Sequence, residues 1–184
     1  MKCRDVGKRG AGAHAMHRLI LRTGILLLMA AIGVTLRAAT PGEVQTLKGI
    51  QGVAVLIEPL TSEVEAAGLH ETDIQTDVEL KLRLAGIKVL TMAQAVNPPF
   101  VPYLYVNEDV ELSQQQRLAY FAIKCDLVQG VRLTRDASIT TSAATWDVFA
   151  AGITGQANLR GIRDGVKELV DRFINAYLSV NPKK

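Results

Sequence analysis

"YLYVNEDVEL" spans Tyr103 to Leu112, and its period decides the fold. Leu104, Val106, Val110 and Leu112 fall on one side of an extended chain, while Tyr103, Tyr105, Asn107, Asp109 and Glu111 fall on the other. That alternation marks a strand with one face packed and one face wet. After the polar turn "SQQQR" the same period continues through Phe121, Ile123, Cys125, Leu127, Val131 and Leu133. Two such runs joined by a short polar stretch predict a long antiparallel hairpin. "DAS" (Asp136 to Ser138) reads as the next turn, and "ITTSAATWDVFAAG" as a further strand of the meander.

Upstream of the proline-rich loop "AQAVNPPFVP" the pattern changes. "VAVLIEPL" (Val53 to Leu60) is a continuous apolar run rich in β-branched residues, typical of a strand buried on both faces. Ser62 with Glu65 can cap one short turn closed by Gly68, and Thr72 with Gln75 has the spacing of a second capping box. Ile74, Val78, Leu82 and Ala85 then recur at helical spacing up to Gly86, and "IKVL" (Ile87 to Leu90) follows as a strand. Strand, helix and strand at this spacing predict a parallel pair.

The last segment is helical. Leu159, Ile162, Val166, Leu169, Val170, Phe173, Ile174, Tyr177 and Leu178 form one apolar stripe. Arg160–Asp164, Lys167–Asp171 and Glu168–Arg172 stand four residues apart on the opposite side, and Asn181-Pro182 ends the run. Gly161 and Gly165 inside it predict close approach of the helix backbone to the sheet or to the preceding strand. The expected fold is therefore α+β: a two-layer sandwich whose mixed sheet of about four or five strands carries two helices on one face, in the order β-α-β-β-β-β-α.

The first 23 residues hold six basic residues against the single acid Asp5, and the apolar run "GILLLMAAIGVTL" (Gly24 to Leu36) follows. Basic, apolar, then small residues is the order of a secretory signal, and the run is short for a bilayer span of about 20 residues. Residues 1–39 are read as a signal peptide or short N-terminal anchor, 40–52 as a lead-in, and 53–184 as one domain. Met16 also opens a signal of ordinary form, so translation starts at Met1 or Met16. The expected compartment is the periplasm, with tethering to the inner membrane as the alternative if the segment is retained. From Arg37 onward 15 basic residues face 17 acidic ones, so the formal charge of +3 belongs to the targeting segment. The remaining domain lacks the basic footprint of a nucleic-acid or anionic-lipid binder.

Chemistry is sparse. Beyond the targeting segment the chain holds one histidine, His70, and one cysteine, Cys125, too few for a zinc site. "NEDVE" alternates along a strand instead of converging as a calcium loop does. Cys125 lies in the apolar phase of its strand, where a thiol is a small hydrophobe. No catalytic, cofactor-binding or metal-binding residue is assigned, and no cofactor is expected. The candidate interaction surface consists of Tyr103, Tyr105 and Arg132, with Trp146 joining it only if exposed; a tryptophan is more usually buried against a helix.

At "TDVELKLRLAGIKVL", "PYLYVNEDV", "TRDASITTSAATWDV" and "IRDGVKELVDRFINAYLSVNP" the chain resembles an uncharacterised family of exported bacterial cell-envelope proteins. The resemblance implies export and a small α/β domain, and carries no functional residue. The order of elements is also similar at fold level to the amino-terminal domain of TolB and to the curli-secretion lipoprotein module, although the lipoprotein cysteine is missing. The expected function is a non-enzymatic protein-binding or envelope-assembly module whose partner is another envelope protein. The alternative is a small-ligand carrier or enzyme with a pocket between helix and sheet.

Overall fold

The computed structural model describes residues 35–93 and 101–182. The signal or anchor read over 1–39 lies outside the described residues up to position 34, as do both candidate start codons. The strands and α-helices among the described residues precede and follow a short 3-10 turn at Gln156–Asn158. They are β1 (Thr35–Arg37), α1 (Pro41–Gln45), β2 (Val53–Ile57), α2 (Ser62–Ala66), α3 (Glu71–Leu84), β3 (Val89–Leu90), β4 (Tyr103–Ser113), β5 (Leu118–Leu133), β6 (Asp136–Gly155) and α4 (Arg160–Val180).

The fold is α+β, with a mixed sheet ordered β1-β6-β5-β4-β2-β3. The described sheet thus has six strands, more than the pattern predicts. One addition, β1, explains the difference, whereas β2 and β3 form the expected parallel pair. β1 comes from the stretch read as the end of the targeting segment, and pairs antiparallel with β6 from Thr35↔Ala151 to Arg37↔Phe149. β2 pairs in parallel with both β3 and β4, so the buried apolar run lies between two neighbours.

β4, β5 and β6 form the predicted meander. β4 and β5 match from Tyr103↔Val128 to Ser113↔Leu118, and β5 continues beside β6 to Leu133↔Asp136. Beyond Val128 the two longest strands have no β4 neighbour and project as a ribbon. The turn at its tip falls at residues 134–135, ahead of the expected "DAS". Asp136 instead begins β6, its Oδ1 accepting from the Ser138 backbone N–H at 3.0 Å.

One face of the sheet carries the helices. Ile74, Val78 and Leu82 of α3 and Ile162, Val166, Leu169, Val170 and Phe173 of α4 are buried, as their spacing predicts. They meet Val55, Leu104, Val106, Ile123 and Val148 in one apolar core. The helices are joined by ion pairs, Arg163 Nε to Asp77 Oδ2 at 2.6 Å and Lys81 Nζ to Asp171 Oδ1 at 2.5 Å. Of the expected pairs along α4, Glu168–Arg172 forms at 2.9 Å. Lys167 instead meets Asp164 at 2.6 Å, and Asp171 is drawn across to α3.

Local signals decide where helices begin and end. The capping box expected at Thr72 does not form, because α3 starts earlier with His70 in the capping position and no side-chain cap. A capping box does form inside the lead-in: Thr40 Oγ1 accepts from the Glu43 backbone N–H at 3.3 Å, and Glu43 Oε2 accepts from the Thr40 N–H at 2.6 Å. It starts α1. Gly86 has φ of 81°, the left-handed value expected after α3. At the far end Asn181 ties α4 to the turn after α1: its Oδ1 accepts from Gly49 N–H at 2.7 Å and its Nδ2 donates to Leu47 O at 2.9 Å.

Gly165 shows the predicted close approach. A Cβ built there lies 2.9 Å from Ile123 Cδ1, so the absent side chain lets α4 settle onto β5.

Candidate functional site

The face of the sheet opposite the helices carries the polar strand residues. Register places them in cross-strand rows. Asp147, Asp126, Tyr105 and Leu56 form one row across β6, β5, β4 and β2. Arg37, Phe149, Lys124 and Asn107 form the next across β1, β6, β5 and β4. Tyr103 pairs with Val128 and Ala54 on the other side of the acidic row.

Two aspartates directly opposite each other repel. The neighbouring row offsets this, since Lys124 Nζ lies 2.8 Å from Asp126 Oδ2 and Arg37 is paired with Asp147. Arg37 also reaches Glu43 Oε1 at 3.0 Å, joining β1 to α1. The backbone N–H of Thr40, followed in effect by its hydroxyl and by Arg37, holds the Glu43 carboxyl below its ordinary range. Asp126 is only 6% exposed, and its Oδ1 is buried with no hydrogen-bond partner. The Tyr105 hydroxyl donates to Glu58 Oε2 at the end of β2. That bond first, and then desolvation, raise the Tyr105 pKa above its ordinary value. Tyr105 is therefore a neutral donor here.

The four residues of the candidate surface do not meet. Tyr103 and Tyr105 are half-buried on this outer face. Arg132 is exposed in the projecting ribbon, opposite Thr140 and past the last β4 pairing at Val128. Trp146 belongs to the other side of the sheet and is 1% exposed. Its place on an interaction surface is corrected: the phase shared with Val148 and Ala150 turns it towards α4, where it packs on Phe173. Phe149 and Asp126, which sequence reasoning did not single out, take the central positions. The register behind that arrangement becomes readable only when strand order is known.

Among the described residues no group of three His, Cys, Asp or Glu side chains is placed to hold a metal ion. Cys125 is fully buried, and desolvation, followed by the Asp126 and Glu108 charges, pushes its thiol far above the ordinary range. A thiol so held is not a nucleophile at neutral pH. One residue that sequence reasoning passed over is Glu108. It sits in the apolar phase of β4, between Val106 and Val110, and both carboxyl oxygens are buried without a hydrogen-bond partner. A charge in an apolar phase was the signal for it.

Clefts open between the layers. One, about 450 Å³, lies between α4 and the strands, with Leu36, Phe121, Ala150, Gly161 and Leu169 in its walls. A second, about 310 Å³, lies beside Trp146 and Val44. No helix among the described residues is long and apolar enough to cross a membrane.

No family model matches the chain, and no curated protein matches it. Two solved structures that are similar to it are PelC dodecamers from Paraburkholderia phytofirmans. One, carrying a single substitution, has a TM-score of 0.46 at 14% identity, over 76% of this chain and 97% of the other. The second has a TM-score of 0.44 at 13% identity over the same shares, 76% and 97%. At such values the likeness transfers no ligand, partner or assembly to this chain. The analogy to TolB and curli-secretion modules is not established by these comparisons.

Proposed function

We propose that this is an exported, non-enzymatic envelope domain that holds another envelope protein on the outer face of its sheet. The observation that carries the reading is the composition of that face. Tyr103, Tyr105 and Phe149, each half-buried, stand among paired charges on the face opposite α3 and α4. Aromatic residues bordered by paired charges supply contact area with little loss of side-chain entropy, the make-up of protein interfaces. The basic and then apolar order of residues 1–36 supports export, to the periplasm or to an inner-membrane tether.

Crosslinking in intact cells tests the reading. A photo-reactive residue at Phe149 should give a discrete adduct, whereas one at Leu84, exposed on the helix layer, should not. Adducts from Leu84 alone would overturn it.

The cleft of about 450 Å³ favours a second reading, a small-ligand carrier or enzyme. A thermal shift from a metabolite panel that is abolished by Ala150→Phe would favour this alternative. The absence of any shift would leave the docking reading standing.

A further inference from the structure

Glu108 lies on the helix side of β4, opposite Ile123 of β5, and is 5% exposed. Neither carboxyl oxygen has a hydrogen-bond partner. It stands in the wall of a cleft of about 210 Å³ whose apolar sides are Pro59, Leu60, Val64 and Val110. The short helix α2 closes that side of the domain. Of its five residues one is buried, Val64, and the next core anchor along the chain is Leu69, beyond Gly68. Its outer edge is held by Gln114 Nε2 donating to Glu63 Oε1 at 3.1 Å. Pro59 precedes it, and Gly68 follows with φ of 99°. The segment is thus a short flap bounded by two backbone punctuation points.

The ionisable groups around Glu108 give its charge no counter-ion. Glu58 at the end of β2 and Glu71 at the start of α3 both disfavour ionisation. From α2 come Glu63 and Glu65, and from the N-cap of α3 comes His70, all exposed. β5 presents the buried Cys125 on the same side; Lys124 and Asp126 alternate to the opposite face, where they pair with each other. Desolvation first, opposed by the residue's own backbone N–H and reinforced by these two glutamates, pushes the Glu108 carboxyl from 4.5 up to about 7.

We propose that Glu108 is a proton-operated latch for the Pro59–Gly68 flap: protonated, it lies closed beneath α2, and ionised, it drives the flap open and bares Leu60, Val64 and Val110. The only species exchanged is a proton, released from the carboxyl to solvent on opening. The sign follows from the two pKa values, about 7 closed and the ordinary 4.5 open. The closed state is fully favoured below pH 4.5, loses ground as pH rises between those values, and loses no more above about 7. Opening becomes on the order of a hundredfold more frequent across that window.

Amide hydrogen exchange on the whole protein from pH 4.5 to 8, corrected for the intrinsic pH dependence of exchange, reads the flap directly. Peptides covering 59–68 should lose protection on the order of a hundredfold as pH rises, with α4 unchanged. Glu108→Gln should keep the flap protected throughout. A pH-independent flap, or loss of protection shared equally by α4, would overturn the latch. If Glu108→Gln does not fold, carboxyl-carbon NMR of the unsubstituted protein decides: a Glu108 midpoint well above 4.5 supports the proposal, and one at 4.5 overturns it.

Discussion

Trp146 of β6 stands edge-on to Phe173 of α4, with ring centroids 5.2 Å apart and planes at 71°. Both rings are essentially sealed from solvent. This contact joins the longest strand to the longest helix. Edge-to-face pairs of this kind contribute about 0.5–1.5 kcal/mol beyond the area they bury. The Trp146 indole N–H is buried without an acceptor, so the ring stabilises through its apolar body and not through a hydrogen bond.

Trp146→Ala should therefore lower unfolding stability by about 3–5 kcal/mol, and Trp146→Phe by less than about 1.5 kcal/mol because the unsatisfied donor leaves with the indole. Urea titration followed by circular dichroism measures both. Since Trp146 is the chain's only tryptophan, its emission should also shift to longer wavelength on unfolding.

Gly165 offers a coupling prediction. Alanine gains about 1 kcal/mol of helix propensity over glycine, but its Cβ at 2.9 Å pushes on the Ile123 Cδ1 methyl. Gly165→Ala alone should fall within about 1 kcal/mol of neutral. Combined with Ile123→Val, which removes the methyl in the way, it should be less costly than the sum of the two single changes. A double-mutant cycle with zero coupling would contradict the contact.

The Arg163–Asp77 pair predicts the reverse pH behaviour to Glu108. Hydrogen bonding from Arg163 first, and then the charges of Arg163 and Lys167, lower the Asp77 pKa below 3.8 against a smaller opposing cost of burial. A depressed carboxyl stabilises the fold above 3.8, and that stability is lost as pH falls through the lower folded value. Arg163→Met should cost about 1 kcal/mol at pH 7 and progressively less below pH 3.8. Thermal unfolding across acid pH checks the convergence.

How much of this was legible in the sequence depends on which neighbour each residue answers to. The β4–β5 hairpin and the stripe of α4 follow from period alone, because alternate residues of a strand and every third or fourth residue of a helix share a face whatever lies beside them. β1 did not follow, since Thr35–Arg37 continues an apolar run that targeting composition already explains. The start of α3 at His70 shows tertiary packing of Ile74 and Leu69 outweighing a cap worth about 1 kcal/mol. The outer face was half legible: Tyr103 and Tyr105 were in the right phase. Their partners Asp126 and Phe149 depend on strand order, which no local pattern encodes.

The outer face is also where the account is most exposed. Purification of the protein from the cells that make it, with co-purifying proteins quantified by mass spectrometry, compares the unsubstituted chain with Phe149→Glu and with Leu84→Glu as a control of equal charge. The account predicts one envelope protein enriched with the unsubstituted chain and with Leu84→Glu, and depleted at least tenfold with Phe149→Glu, a loss of about 1.4 kcal/mol or more. Equal recovery with Phe149→Glu, the variant remaining folded by circular dichroism, would contradict it.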